Sequence, residues 1–590
     1  MISSDFETLQ RLIQIGISLS SERDFNRLME RILIEAKELC NADGGTLYLC
    51  KDSDSLHFEI MRNDSLGIAL GGTTGAPVEH APLKLYDPES GAENQTNVAT
   101  WAALTGTSVN IPDAYEAERF DFSGTKRFDA GNGYRSRSFL TVPLKSSEGE
   151  VIGVLQLINA QPRGGGAVIP FEPTLQPLIE ALASQAAVAL ENRHLLDAQQ
   201  SFLDAFIELI ASAIDEKSPY TGGHCQRVPE LTKMLARAAC AEEEGVFADF
   251  KLSDDEMYEL HVGAWLHDCG KITTPEYVVD KATKLETIYN RIHELRARFE
   301  ILKRDATIEA LQARLAGEDP EEAARREAAR HAELDAEFAF VAECNVGGEW
   351  MDPARVDRLK EIGARRWQRT ISDRLGLSHE ELKRKERTPE PALPADETLL
   401  GDRAEHIIER HPNALEGYER RREHGFTLTP PEHEYNLGEL YNLSVSRGTL
   451  TAEERFKIND HIIQTIMMLK QLPFPKQLAR VPEYAGNHHE RMDGKGYPRG
   501  LKRDEMSLPA RMMAIADIFE ALTAGDRPYK RAKPLSVCID IMAKMTKGQH
   551  IDPELFQLFL RSGVYREYAE RFLAPEQIDE VDISAYADIS

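Results

Sequence analysis

At 590 residues the chain is long enough for two to four domains, each with a full apolar core. Its 70 basic and 98 acidic side chains leave a formal charge of −28, which excludes a general nucleic-acid surface and obliges any phosphate-bearing ligand to find a local basic pocket. The 7 cysteines form no CxxC pair, no apolar run approaches the roughly 20 residues of a membrane span, and the start lacks a signal peptide's apolar stretch, so the sequence reads as a soluble cytoplasmic protein with reduced thiols.

Residues 1–172 read as one α+β domain. Phe25, Leu28, Ile32, Leu33, Ala36 and Leu39 recur at helical spacing and predict an amphipathic helix over 24–40, followed by a strand from Gly45 to Cys50. Two β-rich runs, Ser138–Leu144 and Val151–Asn159, flank the turn Ser147-Glu148-Gly149 and predict an antiparallel hairpin. Residues 62–137, rich in Gly, Asp and Asn, read as ligand-cradling loops or irregular structure. The helix, central strands and closing hairpin resemble a GAF sensory domain, most clearly in SFLTVPLKSSEGEVIGVLQLINA. Cyclic-nucleotide-binding GAF domains tend to carry Asn-Lys, then Phe and an Asp-Glu pair. Here Ala160 follows Asn159 and Pro173 follows Phe171-Glu172, so the pattern is incomplete and the GAF ligand is unknown. A domain used only for dimer contacts is the competing reading.

Residues 173–215 read as a linker helix. Leu178, Leu182, Gln185, Ala189, Asn192, Leu196, Gln199, Leu203, Phe206, Ile210 and Ala213 alternate by four and three, a coiled-coil seam in which Asn192 could fix register. The expectation is a parallel homodimer through this rod; two shorter helices on separate domains are the alternative.

The next signals are scattered histidines and carboxylates. His224 follows Gly222-Gly223 at the start of a helix carrying Val228, Leu231 and Leu235. His267-Asp268 closes the helix that begins at Asp254-Asp255-Glu256, with Gly270-Lys271 behind it. Thr451-Ala452-Glu453-Glu454 is a capping box opening the helix that bears His461, and Asp517 interrupts the apolar run 512–519. His488-His489 precede Glu490-Arg491-Met492-Asp493 and the turn Gly494-Lys495-Gly496-Tyr497-Pro498, where the backbone can approach a ligand and Tyr497 offers a face for a base. Buried imidazoles and carboxylates need polar partners, and a metal is the simplest one. Five imidazoles (His224, His267, His461, His488, His489) and two carboxylates (Asp268, Asp517) suit two cations sharing one bridging aspartate; mixed N/O donors favour iron, manganese or zinc over magnesium. Such a pair provides a nucleophile from water at neutral pH and neutralises phosphate oxygens.

HDCGK and the distant HHERMDGKGYP together resemble the HD-GYP family of metal-dependent phosphodiesterases, within the HD superfamily, over about 201–286 and 446–565. The resemblance implies an all-α domain that hydrolyses cyclic di-GMP to linear pGpG or GMP. It assigns His224, His267, Asp268 and Asp517 to one metal and His461, His488 and His489 to the second. Asp268 would bridge them and Lys271 would sit against the scissile phosphate. Gly496, Tyr497 and Pro498 would face a guanine, with Arg527 and Lys530 reaching phosphates or bases.

Three departures stand out. Tyr220 occupies the position where some members carry a third-metal glutamate, so two metals are expected. Gly525 adds a residue ahead of Arg527. The family's Lys-Pro-Gly-Lys-Leu-Thr-like loop is split into Asp280–Leu285 and Arg447–Thr451 by an insertion, helical and charged at first, then Pro-rich. The domain thus runs 216–286 and 447–590 around an insertion at 287–446 that could be a lid, a partner platform or bulk. Rival readings are another cyclic dinucleotide or nucleotide ester as substrate, and a non-catalytic cyclic-dinucleotide receptor.

Overall fold

The computed structural model describes residues 2–52, 54–216, 223–348, 350–524 and 532–589. Tyr220, Gly525, Arg527 and Lys530 lie outside the described residues. The chain divides into two compact units, residues 1–204 and 205–590. Among the described residues no helix is long and apolar enough to cross a membrane.

The first unit is built on an antiparallel sheet of β1 (Ala42–Asp52), β2 (Ser55–Asn63), β3 (Ile68–Leu70), β4 (Leu83–Lys84), β5 (Val109–Ile111), β6 (Phe139–Lys145) and β7 (Val151–Ala160), in the order β3-β2-β1-β7-β6-β5 with β4 also on β2. The expected hairpin is β6–β7, with Leu140 opposite Leu157 and Val142 opposite Leu155. The helix Phe25–Cys40 starts where the Asp24 side chain accepts from the Arg27 amide. Its Leu28, Ile32, Leu33 and Ala36 bury against Leu47, Leu140, Val142, Leu155 and Leu157 of the sheet.

Residues 62–137 are mostly irregular, as expected, but they also hold β3, β4 and β5 and the helices Val98–Thr105 and Ser123–Asn132. Phe120 and Phe122 bury there against Val98 and Phe139, contacts too irregular in spacing to leave a periodic trace. The long helix is present as one piece, Gln176–Asp215, but the seam shifts. Leu182 and Ala189, two of its expected positions, are buried with Ile179, Ala183, Ala186 and Leu190 in the core of the sheet domain. The apolar residues left outward at seven-residue steps are Val188, Leu195, Phe202 and Leu209, each at least 44% exposed.

The second unit is mainly helical. Around the site stand the helices His224–Ala241, Asp254–Trp265, Ala452–Leu469, Val481–Asn487 and Leu508–Thr523. Capping boxes open two of them, Ser253 with Glu256 and the expected Thr451 with Glu454. Their apolar faces bury Val228, Leu235, Leu260, Met512, Ile515 and Phe519 against Leu555, Phe559 and Tyr568 from the C-terminal helices.

The stretch 287–446, expected to be an insertion, begins with a helical hairpin, Ile292–Leu315 and Pro320–Asn345, whose core includes Leu295, Phe299, Leu302, Leu334 and Val341. Two short antiparallel ribbons follow, Arg366–Arg369 with Ala395–Thr398 and Ile407–Glu409 with His433–Asn436. Strands reading RWQR and HEYN carry no alternation that could announce them. The insertion leaves and returns at one place: Thr283 pairs with Val346, Gly348 with Gly448, and Thr449 Oγ1 donates to the Lys281 carbonyl at 2.8 Å. The buried Lys281 ammonium ties the two ends together, 2.8 Å from both Glu454 oxygens and 3.2 Å from Asn442 Oδ1.

Candidate metal centre

The centre is organised on Asp268, 1% exposed in the turn after the helix Asp254–Trp265. Behind it, Gly270 presses against the helix Ala452–Leu469 so closely that an added Cβ would lie 2.0 Å from the His461 carbonyl oxygen and 2.6 Å from the Thr465 amide nitrogen. Only glycine permits that approach, which brings the two helices' ligands together. Asp268 Oδ2 lies 3.3 Å from His224 Nε2 and 3.2 Å from His267 Nε2, whereas Oδ1 lies 3.1 Å from His461 Nε2. His224 Nε2 is also 3.3 Å from Asp517 Oδ1. Donor atoms of His224, His267 and Asp268 all fall within 4.8 Å of one another, and so do those of Asp268, His461, His488 and His489. Six of the seven expected ligands thus fall in two sets that share one carboxylate, and Asp517 joins them through His224.

The outer nitrogens of four rings are held. His267 Nδ1 donates to the Ala264 carbonyl at 2.6 Å, His488 Nδ1 to Ala485 at 2.7 Å and His461 Nδ1 to Ile458, each three residues back at a helix end; His224 Nδ1 donates to Glu520. A proton placed on Nδ1 leaves a lone pair on Nε2. Those four Nε2 atoms and Asp268 Oδ1 are buried without a hydrogen-bond partner among the described residues. An unmet buried polar atom costs roughly 1–3 kcal/mol, so five crowded together demand a common partner. A divalent metal fits this donor set.

Charge state agrees for the two carboxylates and for His488 and His489. Burial alone would raise Asp268, but the Lys271 ammonium and the surrounding imidazoles hold it well below the usual carboxylate range. Burial likewise opposes Asp517, and His224, His488 and His489 bring it well below as well. Burial, with His267 beside it, pushes the His488 imidazole down to about 4, and burial with His488 and His461 lowers His489. Neutral His488 and His489 beside ionised carboxylates are the protonation state a metal requires, whereas His224, against its burial, is raised well above the ordinary imidazole value by Glu520, Asp268 and Asp517 and must give up a proton to a cation.

A cavity of about 410 Å³ opens beside the ligands, lined by His488, His489, Gly496, Tyr497 and Asp517 together with Arg491, Lys495 and His550. The Tyr497 ring stacks on His489 with centroids 4.9 Å apart and planes at 24°. Gly496 is required by space: a Cβ there would stand 2.4 Å from the Arg491 nitrogen and the Glu490 Cα. Pro498 is buried behind the loop rather than lining the cavity. Lys271 Nζ lies 2.5 Å from Asp268 Oδ2, on the shared carboxylate.

Several residues escaped the sequence reading. Glu520, one turn beyond Asp517 and 2% exposed, orients His224 and accepts from Arg227 Nε at 2.8 Å. A second acid in the same apolar helix was its available signal. Glu490 accepts from the amides of Arg499, Gly500 and Leu501 at 2.7, 3.2 and 2.9 Å and so shapes the tyrosine loop. His550 had no signal; it reaches the cavity from 61 residues beyond His489 only through the fold.

The first unit holds a second cavity, about 360 Å³, walled by Tyr48, Phe58, Phe122, Phe128, Phe139 and Ile158. Several of its polar groups are engaged within the domain. Gln156 donates to Thr141 Oγ1 at 3.1 Å and accepts from Tyr48 at 3.3 Å, and Tyr134 donates to Asp43. The one arginine in its lining, Arg62, donates to Glu30 and to the Leu70 carbonyl, both at 2.6 Å.

Family models of known domains match both units. A GAF-domain model matches residues 24–190 and an HD-domain model residues 391–555. The chain carries a GAF domain and an HD domain. The HD match spans His461, His488, His489 and Asp517; it begins after His224, His267 and Asp268, at residue 391, within the stretch 287–446 expected to be an insertion. Among curated proteins, the 3'3'-cGAMP-specific phosphodiesterase 1 of Vibrio cholerae is 39% identical over 116 residues, 20% of this chain and 26% of the relative. A cyclic di-GMP phosphodiesterase of Thermotoga maritima is 37% identical over 124 residues, 20% of this chain and 33% of the relative. One from Pseudomonas aeruginosa is 42% identical over 88 residues, 15% of this chain and 20% of the relative. The chain therefore spans between 20% and 33% of the length of these three relatives. Among solved structures, the GAF domain of an Acinetobacter phosphoenolpyruvate-protein phosphotransferase aligns with 32% of this chain and 98% of its own at 16% identity and a TM-score of 0.24.

Proposed function

We propose that the chain is a metal-dependent phosphodiesterase that opens cyclic di-GMP to linear pGpG or GMP under the influence of its GAF domain. The observation that carries this reading is the buried pair of donor sets sharing Asp268, each with imidazole Nε2 atoms left unpartnered. His224, His267, Asp268 and Asp517 hold one cation and His461, His488 and His489 the second, with Asp268 between them. Iron or manganese suits these donors best and zinc is third. When bound, such a pair activates water for attack on phosphorus and neutralises the phosphate's non-bridging oxygens.

The remaining roles belong to the chain. Asp268 fixes the spacing of the two sites, and Glu520 and the helix-end carbonyls keep each Nε2 aimed inward. Lys271 offsets the acidic cluster and reaches the scissile phosphate. Gly496 leaves room for a flat base, which stacks on Tyr497, while Arg491 and Lys495 supply the positive mouth that a chain at −28 must build locally. Arg527 and Lys530 are assigned to substrate phosphates or bases. The complete set of ligands speaks against a non-catalytic receptor.

The test is anaerobic purification, metal analysis and chromatography of products after incubation with cyclic di-GMP. Two metals per chain and a linear or mononucleotide product support the reading; a metal-loaded protein that leaves the cyclic dinucleotide intact overturns it. The relative named as specific for 3'3'-cGAMP favours that dinucleotide as a second reading, decided by parallel incubations.

Two further assignments accompany this one. The GAF cavity takes a compact uncharged ligand with an apolar body, since its walls are aromatic and its arginine is engaged. The stripe Val188, Leu195, Phe202 and Leu209 forms the seam of a homodimer, and a monomeric mass in light scattering would remove it. None of the 7 cysteines is in a disulfide, in keeping with a cytoplasmic setting.

A further inference from the structure

The insertion's last stretch reaches the tyrosine loop. Its path follows the helix that carries His461: Arg410 lies 5.1 Å over the Phe456 ring, and Arg421 pairs with Asp460 at 2.8 Å. Phe426, 3% exposed, then buries against Ile462, Ile463 and Ile466 of that helix, and Tyr497 packs on the same cluster. The next residue closes the contact. The Thr427 amide donates to the Pro498 carbonyl at 2.7 Å and its hydroxyl donates to the same oxygen at 3.1 Å. On the other side of the loop the Arg499 guanidinium sits 5.3 Å over the Phe426 ring, while its amide is held by Glu490.

The loop is therefore fixed from two sides. Glu490 gathers the amides of residues 499–501 from within the parent domain. Phe426 and Thr427 hold residues 497–499 from the insertion. Between them Tyr497 is pressed flat on His489, the geometry a stacking platform needs. The helical hairpin Ile292–Asn345 buries a separate core and supplies nothing to this cluster.

We propose that Phe426 and Thr427 are positioning residues of the tyrosine loop, so that the insertion acts on substrate affinity through Tyr497. This rests on the phosphodiesterase reading for its kinetic consequence but not for its structural one. Without the brace, the loop opens locally and Tyr497 leaves His489 part of the time, which weakens base stacking while the ligand set stays in place.

The experiment uses the full metal-loaded chain with Phe426→Ala, Phe426→Leu and, as a control for general loosening of the insertion, Leu334→Ala in the hairpin core. Lys495, whose side chain is 78% exposed, makes the loop a trypsin reporter: cleavage after Lys495 is followed by mass spectrometry. Phe426→Ala should speed that cut about tenfold, because cleavage tracks the population of the opened loop. It should raise KM for the cyclic dinucleotide about fivefold with kcat within about twofold and metal content unchanged, the pattern of lost binding rather than lost chemistry. Phe426→Leu should restore most of both effects. An unchanged cut in Phe426→Ala, or an equal acceleration in Leu334→Ala, overturns the proposal. Should the wild type not hydrolyse cyclic dinucleotides, the function falls while the proteolysis still decides the brace.

Discussion

The cavity inside the GAF domain and the one beside the metal ligands are of similar size and opposite chemistry. In the GAF domain Gln156, Tyr134 and Arg62 all find partners among their own neighbours, so the cavity presents aromatic walls and little unmet polarity. In the HD domain four imidazole nitrogens and a carboxylate oxygen are buried with no hydrogen-bond partner among the described residues. The difference teaches how to read a pocket. Polar atoms that satisfy each other leave room for an apolar ligand, whereas lone pairs crowded on one spot mark a cation.

The hardest blow to this contrast is Asp268→Ala. With the shared carboxylate gone, both cations should be lost and turnover should fall on the order of 10³-fold or more, read by elemental analysis and product chromatography. Helix content and ligand binding by the GAF domain should stay as they were. Retention of two metals would end the bridging assignment.

Chelation tests the same point without mutation. A metal at a hundredfold its Kd adds about 2.7 kcal/mol to the folded state. Stripping it should therefore lower the calorimetric transition of the HD domain and leave that of the GAF domain in place. Glu520→Gln should act more gently. It keeps a hydrogen-bond acceptor for His224 but removes the charge, and metal affinity should drop about 10–100-fold, measured by competition with a chromophoric chelator.

The GAF side is tested by ligands. A neutral bicyclic aromatic should raise the melting temperature of that domain by about 2–4 °C for each kcal/mol of binding, while cyclic AMP and cyclic GMP should leave it unchanged. A shift with the cyclic nucleotides would reverse the comparison.

The smallest expected effect lies at the insertion's root. Lys284 is buried, its ammonium donating to the carbonyls of Leu443 and Val445 at 2.9 and 2.8 Å, and burial pushes it down to about 8, with the Arg355 guanidinium nearby acting in the same direction. A base whose folded value lies below the unfolded one penalises folding fully below about pH 8, and that penalty fades as the pH rises toward the unfolded value of 10.5. Lys284→Met should thus stabilise the chain by of order 1 kcal/mol at pH 7 once the lost hydrogen bonds are counted. The gain should shrink by pH 10 in thermal melts of the two proteins run side by side.

Much was legible in the sequence because it was written locally. The helix at 24–40, the β6–β7 hairpin, the capping box at Thr451 and the histidine and aspartate motifs are all short-range patterns, and the candidate donors His224, His461 and Asp517 stand on the helices expected for them. The sequence by itself determined the donor types and the turns that carry them. Tertiary structure alone decided the rest. Which oxygen of Asp268 faces which imidazole depends on Gly270 letting two helices touch across 191 residues of chain, from Gly270 to His461. The outward stripe of the long helix depends on which of its faces the GAF sheet had already buried, and periodicity cannot tell one apolar face from the other. Glu520, His550 and Phe426 acquire their roles from neighbours far away in sequence, where no local spacing records the contact.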